Sequence, residues 1–186
     1  MRLILGSQSP RRRSLLAGLD IPFEAINIDA EEWFPTNLTA GDIPLYISRE
    51  KAQAYTRLQA DELLVTADTI VWLNGRMLGK PHSLEEAKQM LHCLSGHTHQ
   101  VYTGVTLTTT TSQESFVDCT DVTFRTLADT EIDYYVEHYR PLDKAGAYGV
   151  QEYIGYIGVR KMAGSYFNVM GFPIDRVYLA LKKYGF

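Results

Sequence analysis

The stretch RLILGSQSPRRRSLLAGL, residues 2–19, indicates how the chain begins to fold. Its apolar first part predicts a short buried strand over residues 2–5, and the small polar residues after it predict a turn. Ser9 is a suitable N-cap and Pro10 a suitable first residue for a helix that continues through the leucines. The chain therefore begins with a strand, a turn and a helix.

The same alternation of strands and helices continues along the chain, and the pair Asn74-Gly75 predicts a hairpin turn. The predicted strands cover residues 23–28, 62–67, 69–73, 101–109 and 116–124, and the predicted helices cover residues 45–58, 84–94, 129–138 and 175–184. Residues 141–173 are rich in Gly, Tyr and Pro and are expected to form short pieces. The pattern favours an α/β or α+β fold around one sheet, with residues 1–186 as a single domain.

The composition excludes several classes of function. The chain has 186 residues, 45% of them hydrophobic and 22% charged, which is typical of a soluble globular protein. Its net charge of −4 disfavours non-specific nucleic-acid binding, and no apolar run approaches the ~20 residues that cross a bilayer. Cys93 and Cys119 lack a metal-binding spacing, so we expect two buried, reduced thiols in a cytoplasmic protein.

The predicted N-terminal turn and helix form a candidate anion site. The helix start offers backbone N–H groups and a positive dipole end, Ser7 and Ser9 add hydroxyls, and residues 11–13 add three arginines. Such an arrangement suits phosphate oxygens. The alternative is an exposed basic helix start with a serine cap, although three arginines at that position are electrostatically unfavourable unless an anion is present.

Three charged residues are further candidates. Asp68 follows an apolar strand and is expected at its end, where it could hold a divalent cation or act as a general base on water. The alternative is a turn aspartate that bonds its own backbone. Lys51 and Lys80 are suited to phosphate contacts, or they are solvated surface lysines.

Two segments rich in small residues, 143–151 and 164–173, could let the backbone approach a ligand closely. Gln151 carries both a donor and an acceptor, as reading the edge of a nucleobase requires. The alternative is an ordinary glycine-rich turn region.

Taken together, these motifs closely resemble the Maf family of nucleotide pyrophosphatases from about residue 3 to residue 181. The residues that carry the resemblance are SQSPRR at 7–12, EKA at 50–52, ADTIV at 67–71, GKP at 79–81, DKAGAYGVQ at 143–151 and GSYFNVMG at 164–171. The resemblance implies a two-lobed α/β fold around a long mixed β-sheet, similar to the inosine-triphosphate pyrophosphatases. It also implies cleavage of a nucleoside triphosphate between the α and β phosphates, with a divalent metal cation (Mg, Mn or Co).

The resemblance also assigns roles to individual residues. It makes Asp68 the general base, and it places Asp68 and Glu32 at the metal, with the adjacent Glu31 as the alternative to Glu32. The expected triphosphate ligands are Ser9, Arg12, Lys51 and Lys80.

Three positions distinguish the subfamilies that this chain resembles. Arg11, Thr69 and Gln151 match the subfamily that acts on dTTP, UTP and modified pyrimidine triphosphates rather than the one that prefers 7-methyl-GTP. A neutral amide at 151 can pair both groups of a uracil or thymine imide, whereas a carboxylate would better suit a cationic methylated guanine. The alternatives are the 7-methyl-GTP activity or a non-catalytic nucleotide-binding regulator of cell division. The expected partners are the nucleotide and a second copy in a homodimer, with no nucleic acid and no membrane.

Overall fold

A computed structural model describes residues 1–30 and 33–186 of the chain, which form a mixed α/β fold. The strands are β1 (Arg2–Gly6), β2 (Phe23–Ile26), β3 (Glu62–Leu73), β4 (Arg76–Leu78), β5 (Thr98–Thr108), β6 (Gln113–Phe124) and β7 (Val159–Ala163). The helices are α1 (Pro10–Ala17), α2 (Asp42–Ala54), α3 (Leu84–Leu94), α4 (Asp129–Tyr139), α5 (Tyr153–Gly158), α6 (Tyr166–Val169) and α7 (Ile174–Lys182), with a 3₁₀ turn at Ala145–Ala147.

The described strands form one seven-stranded sheet in the order β2-β1-β3-β5-β6-β7, and β4 pairs with β3. β1 runs parallel to both β2 and β3, whereas the β3–β4 and β6–β7 pairs are antiparallel. The sheet is therefore mixed, which confirms the predicted fold class. None of the helices in residues 1–30 and 33–186 is long and apolar enough to span a bilayer.

The chain divides into two compact units, each with its own apolar core. Unit 1 comprises residues 1–69, 103–118 and 171–186, and unit 2 comprises residues 70–102 and 119–170. In unit 1, leucines of β1 and α1 pack with Phe172 and with the inner face of α7. In unit 2, α3 and α4 pack on Val122 and Phe124 of β6.

Local signals in the sequence correctly predict several element boundaries. Ser9 caps α1, because its Oγ accepts a hydrogen bond from the Arg12 N–H at 3.4 Å, and Pro10 is the first helical residue. Ser83 caps α3 in the same way, with 3.1 Å between its Oγ and the Glu86 nitrogen. Asn74 and Gly75 both have positive φ angles, 50° and 81°, as a hairpin turn of this length requires.

Three features of the structure differ from the sequence-based predictions. Helix α2 begins at Asp42 and ends at Ala54, so it is shifted toward the N-terminus relative to the predicted range 45–58. Strand β4 is not among the predicted strands, whereas β7 is one of the short pieces expected within residues 141–173. Both cysteines are exposed rather than buried.

His99 of β5 is a fully buried histidine in unit 2. Its Nε2 lies 2.7 Å from the Tyr148 hydroxyl, and its ring meets the rings of Phe124 and Tyr148 edge to face. Burial lowers the pKa of His99 to about 4, an effect that the charge of Asp121 partly offsets. His99 is therefore neutral in the folded protein at neutral pH.

Because His99 is buried and neutral, we expect the free energy of unfolding to fall when the pH is lowered. Because its pKa is lower in the folded than in the unfolded chain, the unfolded state binds more protons between about pH 6.5 and pH 4. The contribution of His99 is complete above pH ~6.5, and we expect it to fall by about 2 kcal/mol between pH 7 and pH 5. Urea unfolding of the wild type and of His99→Gln at several pH values measures this. A stability difference between the two proteins that does not change with pH would contradict the prediction.

Candidate active site

Asp68 lies inside the continuous strand β3, not at a strand end as the sequence predicts. Its neighbour β1 pairs with β3 only from Arg2↔Glu62 to Gly6↔Thr66. The chain then leaves the sheet and enters α1. Asp68 is therefore two residues beyond the carboxyl end of β1, which is the side of a parallel pair where α/β proteins bind ligands. A location within a strand also excludes the alternative of a turn aspartate.

Lys51 and Asp68 form a largely buried ion pair. Lys51 Nζ lies 2.7 Å from Asp68 Oδ1, and the two side chains are only 13% and 11% exposed. Lys51 comes from the last turn of α2, so a helix and a strand together place a positive and a negative charge at one point. This pair gives the site both a proton acceptor and a cation suited to phosphate oxygens.

A group of hydroxyls and one glycine hold α2 against the sheet. Thr66 Oγ1 donates a hydrogen bond to the Ser48 carbonyl at 2.6 Å, and Ser48 Oγ lies 2.8 Å from Thr106 Oγ1. Gly104 of β5 lets the first turn of α2 come so close that a Cβ there would overlap the backbone of Pro44 and Leu45. Since Ser48 is one helical turn before Lys51, these contacts fix where Lys51 meets Asp68. Sequence reasoning did not find them, because the partners are distant in the chain.

Arg12 is bound by two separate parts of unit 1, strand β3 and the Gly171 carbonyl. Its Nε donates to the Gly171 carbonyl at 2.8 Å, Nη1 to the Ala67 carbonyl at 2.9 Å, and Nη2 to Thr69 Oγ1 at 3.0 Å. Thr69 Oγ1 also lies 2.9 Å from Thr103 Oγ1 and 3.3 Å from the Gly171 carbonyl. The structure thus brings Arg12 and Thr69 into contact and orders the backbone on both sides of Asp68.

The start of α1 is ordered by its serines. The buried Ser7 accepts a hydrogen bond through Oγ from the Ser9 N–H at 3.2 Å, and its carbonyl accepts one from Arg13 Nε at 3.2 Å. The side chain of Ser9 caps the helix, and Arg11 is half-buried in the first turn. These contacts leave the three arginines on a helix start whose dipole already favours an anion.

The two remaining predicted site residues belong to unit 2. Lys80 is exposed and follows β4. Gln151 lies just before α5, and its Oε1 is buried. Within residues 1–30 and 33–186, this oxygen has no hydrogen-bond partner. A buried amide oxygen without a protein partner indicates a group that is satisfied by water or by a ligand.

Of the residues assigned to the metal, Glu32 and its alternative Glu31 lie outside the described residues. In the part of the chain that the structure describes, no group of three or more His, Cys, Asp or Glu side chains could hold a metal ion. Of the two carboxylates assigned to the metal, Asp68 is the one that lies among the described residues. A single carboxylate fits Mg²⁺, which is commonly bound through one or two carboxylates and completes its shell with water and substrate phosphates.

The fold is shared with proteins of known structure. A HAM1 protein from Coxiella burnetii superimposes with a TM-score of 0.51 at 15% sequence identity, over 98% of this chain and 99% of the other. An identity this low shows the fold alone, and it agrees with the predicted fold class.

Sequence comparison gives the family. The family model described as "Maf-like protein" matches residues 2–184, and this chain belongs to that family. A protein of Phocaeicola vulgatus named dTTP/UTP pyrophosphatase is 57% identical over 98% of this chain and 95% of its own length. A protein of Bacteroides thetaiotaomicron with the same name is 54% identical over the same shares.

Proposed function

We propose that this protein hydrolyses dTTP and UTP to the nucleoside monophosphate and pyrophosphate. The observation that carries the proposal is the buried Lys51–Asp68 pair beyond the end of β1. This pair occurs in a chain of the Maf-like family, and two relatives that are 57% and 54% identical to the chain are named for this activity. A protein that only bound nucleotides would not need a proton acceptor there, which argues against the purely regulatory alternative. A cytoplasmic location and a homodimer remain part of the proposal.

In the proposed reaction, Asp68 accepts a proton from a water molecule. The water oxygen forms a bond to the α-phosphorus, and the bond from that phosphorus to the bridging oxygen of the β-phosphate breaks. Pyrophosphate leaves with the bonding electrons. Lys51, 2.7 Å from the carboxylate, keeps Asp68 oriented and offers positive charge to the phosphates.

Further positive groups are assigned to the triphosphate. They are the N-terminus of α1 with its cap Ser9, the side chains of Arg11 and Arg12, and Lys80 of unit 2. Most of the catalytic effect in phosphoryl transfer comes from positioning and from stabilising charge as it develops on the oxygens. Because Arg12 is held by three protein oxygens, its charge stands in a fixed place before any substrate binds.

A divalent cation such as Mg²⁺, Mn²⁺ or Co²⁺ would be held by Asp68 and Glu32 together with phosphate oxygens. When bound, it neutralises charge on the phosphates and makes pyrophosphate a better leaving group.

Pyrimidine selectivity is assigned to Gln151, with Arg11 and Thr69 as the other positions that match the dTTP/UTP subfamily. Uracil and thymine present an N3–H donor beside two carbonyl acceptors. The buried Oε1 of Gln151 suits the N3–H, and its amide nitrogen suits a neighbouring carbonyl. Thr69 is assigned an indirect part in this selectivity, because its Oγ1 accepts a hydrogen bond from Arg12.

The direct test is product analysis with UTP, dTTP, GTP and 7-methyl-GTP in the presence of Mg²⁺. We expect UMP and pyrophosphate in equal amounts from UTP, with the purine nucleotides turned over more slowly. Orthophosphate as the product would contradict cleavage between the α and β phosphates. Tight UTP binding without any product would support the regulatory alternative instead.

Gln151→Glu tests the selectivity assignment. A carboxylate at 151 would face a carbonyl of uracil or thymine, so we expect kcat/KM for UTP and dTTP to fall by about 10- to 100-fold. The values for purine triphosphates should fall less. The matched control is Gln89→Glu, the same change at an exposed position of α3. If the ratio of pyrimidine to purine rates is unchanged, Gln151 does not determine specificity.

A further inference from the structure

The short segment that carries Gln151 is held by a buried polar network within unit 2. Tyr135 of α4 is fully buried, and its hydroxyl donates a hydrogen bond to Glu152 Oε2. The same hydroxyl accepts a hydrogen bond from the backbone N–H of Gly149 at 3.0 Å. One side chain from α4 therefore contacts the chain on both sides of Gln151.

Glu152 is fixed from a second direction by Lys144. Lys144 Nζ lies 3.2 Å from Glu152 Oε1 and 2.7 Å from Asp143 Oδ1, and the Lys144 and Glu152 side chains are 10% and 21% exposed. Each oxygen of the Glu152 carboxylate thus has its own partner, Tyr135 for one and Lys144 for the other. Such a charge-assisted network holds its members in one arrangement more strongly than a single neutral hydrogen bond.

The backbone around Gln151 is equally constrained. The Glu152 N–H donates to the Gly149 carbonyl at 3.0 Å, which closes a turn over residues 149–152. A Cβ at Gly149 would come within 2.7 Å of the Glu152 carboxyl carbon, and one at Gly155 would overlap the Val150 carbonyl. The two glycines therefore let the Glu152 side chain and α5 pack directly on this turn. Gln151 stands in the middle of it.

Burial, and to a smaller extent the bond to Glu152, raise the pKa of Tyr135 above its usual value. The hydroxyl therefore stays protonated at neutral pH and remains a donor to Glu152.

We propose that Tyr135, acting through Glu152 and Gly149, is a positioning residue that holds Gln151 in the orientation that reads the imide edge of a pyrimidine. This inference rests on the proposed function. It extends the specificity determinants from Gln151 to a residue of α4 that contacts it only through the turn. A glutamine side chain has several rotatable bonds, so a fixed backbone is needed if its Oε1 is to meet a ligand donor without a large loss of entropy.

The test measures base discrimination rather than activity alone. The substrates are UTP and 3-methyluridine 5′-triphosphate, which lacks the N3–H that Gln151 is proposed to bind. We expect wild type to prefer UTP by at least about tenfold in kcat/KM. Tyr135→Phe should lose most of that preference, as Gln151→Ala should. The double variant should discriminate no less than Gln151→Ala, because the two changes remove one interaction.

Matched variants separate positioning from general stability. Tyr134→Phe makes the same change at an exposed neighbour on α4 and should keep the wild-type ratio. Glu152→Gln keeps an acceptor for the Tyr135 hydroxyl and should retain most of the discrimination, whereas Glu152→Ala should lose it. Should Tyr135→Phe fail to fold, the comparison of Glu152→Gln with Glu152→Ala tests the same positioning role.

The outcomes distinguish this inference from the function on which it rests. Wild type that hydrolyses and prefers UTP, combined with an unchanged ratio in Tyr135→Phe or Glu152→Ala, overturns the role of Tyr135 and leaves the proposed function standing. Equal rates with both nucleotides overturn the reading of the imide by Gln151. No hydrolysis of UTP by the wild type overturns the proposed function, and this inference with it.

Discussion

Asp68→Asn is expected to lower kcat for UTP by about 100- to 10,000-fold. The amide has nearly the same shape as the carboxylate, and its oxygen can still accept the hydrogen bond from Lys51 Nζ. It cannot accept a proton from the attacking water, so the loss should appear in kcat at saturating UTP. Because Asp68 is also assigned to the divalent cation, the assay is run at a Mg²⁺ concentration that saturates each protein.

Asp118→Asn provides the control for that prediction. Asp118 is also an ion-paired aspartate on a strand of unit 1, with its Oδ1 3.0 Å from Arg176 Nη1. We expect near wild-type turnover from it. A cooperative thermal unfolding transition should show that both variants are folded, with Asp68→Asn the less stable because Lys51 loses its counter-charge. If Asp68→Asn turned over UTP at a rate near that of wild type, the assignment of the general base would be wrong.

Gly104→Ala is expected to reduce the free energy of unfolding by about 3 kcal/mol or more. The added Cβ would overlap the backbone of Pro44 and Leu45 at the start of α2. Backbone atoms cannot move aside as a flexible side chain can, so the helix must shift or the strand must bend. Because α2 carries Lys51, turnover of UTP should fall together with stability. Urea unfolding and kcat measure the two effects.

Gly79→Ala is the matched control for the glycine change. Its Cβ would meet only the end of the Met77 side chain, 3.9 Å away, and its φ angle is not one that disfavours alanine. We expect less than about 0.5 kcal/mol of destabilisation. Equal unfolding midpoints for the two alanine variants would contradict the close packing of α2 on β5.

The sequence predicts most reliably the features whose causes are local. The Ser9 cap and the Asn74-Gly75 turn are predicted correctly, because each depends on residues within one turn of the chain. The expectation that Asp68 lies at the end of its own strand is wrong, because β3 continues through it and the relevant boundary is the end of the neighbouring β1. Where a neighbouring strand ends is tertiary information that a strand's own sequence does not contain.

The same limit applies to the candidate site. Residues 143–151 and 164–173 are predicted to let the backbone approach a ligand, and in the structure Gly149 approaches Glu152 and Gly164 approaches Thr120. Small residues indicate close approach without saying to what. Likewise, three arginines in a helix start suggest an anion, but nothing in the sequence shows that the Arg12 guanidinium binds Gly171, far along the chain. The roles of Ser9, Arg12, Lys51, Asp68 and Lys80 stay predictions.

Unit 1 is built from segments far apart in the chain, residues 1–69, 103–118 and 171–186. During synthesis on the ribosome, Asp68 and Lys51 therefore emerge long before the Gly171 carbonyl that receives Arg12 and before Phe172, which fills the core. Contacts between such distant segments also slow folding, because the intervening chain must be brought to closure first. A nascent polypeptide that has not reached this third segment should thus be unable to hydrolyse nucleotide, and competence should appear late in translation.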